Sequence, residues 1–397
     1  MFTILEEAHE KYYIKLESEY DSKVSAAQIT SISVIENFSH GTPFLLLKFI
    51  DGMGDLINHT HMSPSAEYDL YLGVDQKSAK KSSFSISNIG YENMANGRPE
   101  YVAMDLTFIT AMWPKLIKDT HSRSWSEKKY SDVVKELATE IGFISSDIED
   151  TDKTFNIIQP DWTNLQLLRW LSKHSYSING MGGYDFGVKI DGTFVFKTLD
   201  SFFNQKPIKE LYLSNPTDKS DFFTTFDIKQ RYMDLINQGA GGYDYMFFDY
   251  DKKEFIKGSR KISDSKQRQL SDWSYIATEH SEAKRRFFGG CDINTPNLAE
   301  NRILDVSNSI QSLDISISGD INIHIGDIVN LIIPPSQYSK TIVNENYSGY
   351  WMVGKVNHNI SVNDASFVSY LTLIRSGYDG KKLKGFEKTK TGKKIIK

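Results

Sequence analysis

The sequence predicts a mainly β chain of the α+β class, with two antiparallel β regions and a short helix-containing unit between them. Three observations carry this prediction. Aromatic residues make up 13% of the 397 residues and lie largely in runs that alternate with period two, the pattern of a half-buried strand. The period lengthens to that of a helix near residue 119. Strand signals then return near residue 209 and continue to about 377.

The first region supplies strand after strand. YIKLE (Ile14, Leu16), ITSISVIENF (Ile32, Val34), PFLLLKFID through Phe49, YDLYLGV (Leu70, Leu72) and SSFSISNIGYEN are all short and bounded by turn residues. In YVAMDLTFIT, Val102, Met104, Leu106 and Phe108 fall on one face and Ala103, Asp105 and Thr107 on the other. Strands at this spacing predict an antiparallel sandwich or barrel that ends near Trp113 and Pro114.

The middle unit opens with YSDVVKELATEIGF, which places Val133, Val134, Leu137 and Ile141 on a helical stripe. Ser131 is its expected N-cap and Gly142 its stop. A sharper helix start follows in QPDWTNLQLLRWLSKHSY, residues 159–176. There the Thr163 hydroxyl can accept from the Gln166 N–H while the Gln166 side chain reaches back, which is a capping box. Trp162 just outside the cap and Leu167 inside it stand as a hydrophobic staple, and Leu165, Leu168 and Leu171 form the buried stripe. After the helix, Tyr184, Phe186, Val188 and Ile190 alternate, Asp191 and Gly192 turn the chain, and Phe194 and Phe196 alternate again. That pattern predicts a β-hairpin.

The second β region contains DFFTTFDIKQRYMDLINQ and GYDYMFFDY before a polar, charge-rich stretch breaks the alternation. NLAENRILDVSNSIQ reads as a helix. SLDISISGDINIHIGDIVNLIIPP gives two strands around Gly319, Asp320 and a Gly326–Asp327 turn, and SGYWMVGKVNHNI and ASFVSYLTLIRSG complete the set. The chain ends in a basic segment of low apolar content, expected to be disordered by itself.

Composition narrows the function classes. Lysine and arginine total 46 against 51 acidic residues, a net charge of −5, whereas a general nucleic-acid binder gains affinity from a basic surface. No apolar run approaches the ~20 residues of a membrane-spanning helix, and the N-terminus carries acidic residues where a signal peptide carries basic ones. The expectation is a soluble chain made in the cytosol. The single cysteine, Cys291, allows no intrachain disulfide and has nothing beside it in sequence to activate a thiol.

Three constellations come nearest to chemistry. His59 and His61 in NHTHM share a strand face at a metal-ligand spacing, with no partner motif to complete a site. The glycine-rich INGMGGYDFG and NQGAGGYDYMFF lead into strands, not into the strand-to-helix turn that cradles phosphate, and read as turns or bulges. Carboxylates are plentiful, but no glutamate stands in a lysozyme-like context. No catalytic, cofactor-binding or metal-binding residue is assigned, and the chain is expected not to be an enzyme.

In order and spacing, KKYSDVVKELATEIGF, IIQPDWTNLQLLRWLSKHSY, the hairpin, INIHIGDIVNLIIP and YWMVGKVNHNIS…SYLTLIRSG resemble the baseplate hub of contractile-tailed phages, and are similar to the hub part of type VI secretion spike proteins. The matched positions are Gly326, Asp327, Val329, Leu331, Ile333 and Pro334, then Gly349, Trp351, Val353, Val356 and His358, the last in a structural position. The resemblance covers residues 10–377. It departs from the secretion spike in that no oligosaccharide-binding barrel or β-helical needle follows residue 377, which makes the spike a separate protein. It implies two tail-tube-like antiparallel β-barrel domains joined by a small α+β domain: residues 1–118, then 119–208, then 209–251 with 304–377, an insertion at 252–303 and a basic tail at 378–397. It further implies a virion structural protein of the tail baseplate, assembled in the host cytoplasm. Three copies would form a pseudo-hexameric ring that adapts a six-fold tube to a three-fold spike. The implied partners are two further copies, the central spike, the tail tube or its initiator and the baseplate wedge proteins. DNA or cargo would pass without specific binding, and there would be no membrane contact. The other reading, a tail-associated cell-wall-degrading or carbohydrate-binding enzyme built on the same barrels, stays open.

Overall fold

The computed structural model describes residues 2–9, 12–18, 29–38, 41–51, 66–93, 102–143, 145–179, 182–213, 222–230, 237, 242–261, 285–307, 311–334, 347–362, 364 and 366–375. His59, His61 and the basic tail lie outside them. The architecture is mainly β, as expected, with two barrel-like sheets around a small α+β unit.

Strands β1 (Phe2–His9), β2 (Tyr12–Ser18), β3 (Ile29–Asn37), β4 (Phe44–Asp51), β5 (Tyr68–Gly73), β6 (Lys80–Asn93) and β7 (Val102–Thr110) form the first sheet, in the order β1-β2-β5-β6-β7-β4-β3. All these pairings are antiparallel. Alternation explains the core: Ile14, Leu16, Ile32, Val34, Leu45, Leu47, Leu70, Phe84, Leu106 and Phe108 all turn inward and pack together. The Tyr68 and Phe108 rings meet edge to face at 5.1 Å, the arrangement that ring quadrupoles favour.

The middle unit runs through α1 (Trp113–Ile117), β8 (Thr120–Lys129), α2 (Tyr130–Ile141), β9 (Ser145–Ile148), β10 (Thr154–Thr163), α3 (Asn164–His174), β11 (Tyr184–Val188), β12 (Thr193–Thr198) and α4 (Leu199–Phe203). Gly142 ends α2 in the left-handed region, at φ +88°, which glycine adopts without penalty. Ser131 does not cap this helix. Strand β8 runs straight into it, Lys129 occupies the cap position and Ser131 lies inside the first turn. The cap is supplied from elsewhere: Thr151 Oγ1 accepts from the Ser131 N–H at 3.1 Å.

The capping box of α3 forms as expected, with Gln166 N–H to Thr163 Oγ1 at 3.2 Å and Thr163 N–H to Gln166 Oε1 at 2.9 Å. Leu165, Leu167, Leu168 and Leu171 are buried. The staple differs from expectation. Trp162 is half-buried and its ring meets Trp170, with centroids 6.3 Å apart. Ile190 also departs from its expected strand: pairing ends at Val188↔Phe194, and Ile190 sits in the turn with its side chain in the core of the first sheet.

The second barrel contains β13 (Lys209–Leu213), β14 (Phe222–Gln230), β18 (Gln311–Ser318), β19 (Ile328–Ile332), β20 (Gly349–Ser361) and β21 (Ser366–Arg375). Their order is β20-β19-β13-β14-β18-β21, and β20 pairs again with β21, so six strands close on themselves. Within this otherwise antiparallel barrel, β13 runs parallel to both neighbours. Arg375 is fully buried in it with its guanidinium 4.0 Å from the Trp351 ring, donating to Gln311 Oε1 and to the Ser348 carbonyl.

Strand β20 belongs to both sheets. Its first residues pair with β19 as far as Met352, the ladder shifts at Gly354, and Lys355–Ser361 then pair with Asn37–Ser31 of β3. A second departure concerns GYDYMFFDY. Strand β15 (Tyr243–Asp249) pairs with β16 (Glu254–Arg260) and β17 (Arg285–Phe288) in a separate three-stranded sheet, backed by α5 (Thr295–Ser307).

Candidate functional site

All three units meet at one buried carboxylate. Glu36 continues the inward face of Ile32 and Val34 on β3 and is 0% exposed. Its Oε1 accepts from the Ile190 N–H in the β11–β12 turn at 2.6 Å, and its Oε2 accepts from the Ile325 N–H in the loop before β19 at 3.0 Å. His324 Nδ1 lies 2.9 Å from Oε1. An ionised carboxylate can only accept, so this nitrogen carries the proton. One side chain from the first sheet thus holds a turn of the α+β unit and a turn of the second barrel.

The electrostatics follow from burial and pairing. Burial alone would push the Glu36 carboxyl up, but the His324 charge and the two backbone N–H donors override it and hold it below the usual value. For His324, burial opposes protonation and the Glu36 carboxylate overcomes it, so the imidazole is raised. Asp327 is pushed up by burial, although Lys189 stands 3.7 Å away and the His324 N–H donates to its Oδ2 at 2.7 Å. At the rim, burial would raise Asp191, yet its bonds to Lys80 and Thr193 hold it down at about 2. Lys80 belongs to the first sheet, so this ion pair is a second tie across the same junction.

The motif residues around Gly326 build this turn. Gly326 has φ +82°, and a Cβ there would lie 2.6 Å from the Phe202 ring, so both conformation and space require glycine. His358 is fully buried one layer away and is structural in its contacts. The Asp320 N–H donates to Ser369 Oγ at 3.0 Å, Ser369 Oγ donates to His358 Nδ1 at 2.9 Å, and His358 Nε2 donates to the Ile323 carbonyl at 3.3 Å. Burial pushes its imidazole down to about 4, so it is neutral at ordinary pH.

A second clasp uses neutral groups to join the α+β unit to the excursion from the second barrel, the β16-β15-β17 sheet with α5. Asn301 on α5 is 1% exposed. Its Nδ2 donates to the Lys173 and Ser175 carbonyls at the end of α3, and its Oδ1 accepts from the Gly183 N–H at 2.8 Å. A Cβ on Gly182 would collide with that Asn301 oxygen. Gly182 and Gly183 of the glycine-rich INGMGGYDFG stretch are therefore where the backbone comes close to Asn301. Beside it, His174 stacks on Trp170 at 3.9 Å and faces Asp292 at 3.5 Å.

Neither clasp has the form of a catalytic centre. Cys291 is exposed, and among the described residues no group of three or more His, Cys, Asp or Glu could hold a metal ion. Sequence reasoning missed Glu36, His324, Lys189 and Asn301. The signal for Glu36 was present, because a glutamate in register with Ile32 and Val34 places a charge on an inward face.

No family model and no curated relative matches the sequence. Solved structures do match. The tail protein from Neisseria meningitidis MC58 superposes with a TM-score of 0.60 at 11% identity, covering 92% of this chain and 97% of that one. The 43 kDa tail protein of prophage MuSo2 from Shewanella oneidensis gives 0.58 at 10% identity, covering 93% and 100%. An Escherichia coli component of the type VI secretion system, described as structurally similar to the T4 bacteriophage tail proteins gp27 and gp5, gives 0.50 at 9% identity, covering 92% and 79%. Over nearly its whole length, this chain has the fold of these phage-tail and secretion-system proteins.

Proposed function

We propose that the chain is the central hub of a contractile tail baseplate, a structural protein and not an enzyme. Three copies would form a ring of six barrels that adapts the six-fold tail tube to a three-fold spike and lets DNA or cargo pass. The observation that carries the reading is the fusion of two barrel-like sheets through β3 and β20, with the α+β unit clamped at their seam by Glu36. A rigid two-barrel subunit is what such a ring needs, because a cyclic assembly closes only if each subunit presents its two edges at a fixed angle. The full-length fold likeness to phage-tail and secretion-system proteins supports it.

The proposed partners are the spike, the tail tube or its initiator and the wedge proteins, and the proposed place is the virion baseplate after assembly in the host cytoplasm. Residues 1–118, 119–208 and 209–377 are proposed as the working units. Residues 243–251 move from the second barrel into the insertion, because β15 pairs only there. Among the described residues no helix is long and apolar enough to cross a membrane. Light scattering over a range of concentrations, with and without the spike, tests the reading together with low-resolution imaging. A trimer with a three-fold outline and a central channel is expected; monomers under both conditions would overturn it.

A further inference from the structure

We infer that a single bend in β20, at Gly354, sets the angle between the two barrels, and that an apolar wedge built on α4 holds it. Strand β20 keeps β21 along one side from Met352 to Ser361, but Gly354 is an extra residue in that ladder, between Val353↔Leu373 and Lys355↔Thr372. On its other side β20 changes partner at the same point. Pairing with β19 ends at Ile328↔Met352, and pairing with β3 begins at Lys355↔Asn37. The extra residue also resets the alternation: Trp351 and Val353 face the core of the second barrel, Val356 faces it again after a gap of three, and Ile360 faces the core of the first sheet. Without Gly354, every side chain beyond it would swap faces. A strand carrying one residue too many bends and twists more strongly, so the direction in which β20 enters the first sheet is decided here.

The bend is held from two sides. The Val353 N–H donates to the Asp327 carbonyl at 2.9 Å, and the Gly326 N–H donates to the Val353 carbonyl at 2.8 Å. These bonds pin the last residue before the bend to the turn that Glu36 grips at Ile325. On the other side, Met352 and Ile374 pack with Leu199, Phe202 and Phe203 of α4. A Cβ on Gly354 would lie 3.3 Å from the Ile374 side chain, closer than side chains ordinarily meet. Phe38, one residue beyond β3, completes the wedge: its ring stands edge to face against Phe202 at 5.4 Å, and a Cβ on Gly187 or Gly326 would lie 3.2 or 3.3 Å from it. One cluster thus takes rings or aliphatic groups from all three units. Helix α4 is itself fastened to the α+β unit, because Glu149 Oε2 accepts from the Thr198 N–H at 2.9 Å and from Ser201 Oγ at 2.7 Å. Close-packed side chains resist compression, so the wedge admits one angle and not a range.

The test reads that angle. Nitroxide labels are placed at Asn88→Cys in the first sheet and Tyr350→Cys in the second barrel, both exposed positions, in a Cys291→Ser background. Labelled full-length chain is mixed with excess unlabelled chain, so double electron–electron resonance reads distances within one chain. The parent should give one narrow distribution. Phe202→Leu, which shortens the wedge, and Gly354→Val, which crowds Ile374, should each move its mean by about 3 Å, the rise of one strand residue, or broaden it by as much. Leu168→Ala, a deletion in the core of the same α+β unit, should lower the urea midpoint and leave the distribution unchanged. If circular dichroism shows either variant unfolded, Phe202→Met and Gly354→Ala carry the same expectation. An unmoved distribution in both the wedge and the bend variants overturns the inference. So does an equal displacement in Leu168→Ala, which would make the angle a matter of general core integrity. The bend stands apart from the hub reading: a monomeric parent whose distances follow the wedge sinks that reading alone, and a trimer whose distances ignore the wedge sinks this one.

Discussion

The α+β unit is fastened twice, and the two fastenings use opposite chemistry. Toward the barrels it is held by a buried carboxylate, Glu36, in contact with an imidazole and two backbone N–H groups. Toward the excursion it is held by a buried amide, Asn301, which satisfies two carbonyls and one N–H without any charge. An ionised group bound in a low-dielectric site is strong while paired and costly when its partner is lost. A neutral amide gives less and asks less. The charged clasp should therefore respond to pH and the neutral one should not.

The largest expected effect comes from breaking the charged side. Glu36→Ala should destabilise the chain by about 3–5 kcal/mol in urea unfolding, because it strands His324 and two buried N–H groups. Glu36→Gln keeps the shape and removes the charge, so it should cost less and flatten the pH profile. The lowered Glu36 carboxyl contributes stability that is present above about 4.5 and lost as pH falls through its folded value. The raised His324 contributes stability that is complete below about 6.5 and lost as pH rises through its folded value. His358 acts the other way: with its imidazole near 4, it costs stability as pH falls from 6.5 toward 4. A His324→Gln variant should lose the alkaline decline, and His358→Asn should lose part of the acid one. An alkaline limb unchanged by His324→Gln would show that the clasp does not titrate.

Next in size is Gly326→Ala, where a left-handed backbone and a close ring together should cost about 2–4 kcal/mol. On the neutral side, Asn301→Ala should cost about 2–3 kcal/mol, with the same loss at every pH between roughly 5 and 9. If that loss varies with pH, the contrast between the clasps fails. The smallest effect is local: Thr163→Ala should cost about 1 kcal/mol through loss of the cap. Trp162→Ala should cost less than a core aromatic deletion, since its ring is half-buried against Trp170.

What was legible in the sequence follows a physical line. Period-two alternation found the strands of both barrels, and the cap box of α3 was readable because all its atoms lie within four consecutive residues. Ser131 failed as a cap because the group that satisfies its N–H comes from Thr151, twenty residues on. Trp162 did not join Leu167 in the core of the α+β unit; its half-buried ring lies against Trp170, on the same helix as Leu167. The junction itself was hidden: Glu36 finds its partners at Ile190 and Ile325, and no local pattern announces contacts of that sequence separation. The motif at Gly326 and Asp327 marked one side of it without revealing what it faced.

The strand shared by both sheets also sets an order of events during synthesis. Strand β3 leaves the ribosome early, yet the partner for its outer edge is Lys355–Ser361, made more than three hundred residues later. At typical elongation rates of about 5 to 20 residues per second, that edge waits roughly a quarter of a minute to a minute. Over that interval the first sheet carries an open ladder of N–H and C=O groups next to other nascent chains, the situation that invites strand exchange. The last strand pair among the described residues is thus also the stopper of the first sheet, and a chain that terminates before residue 355 leaves the edge of β3 uncapped.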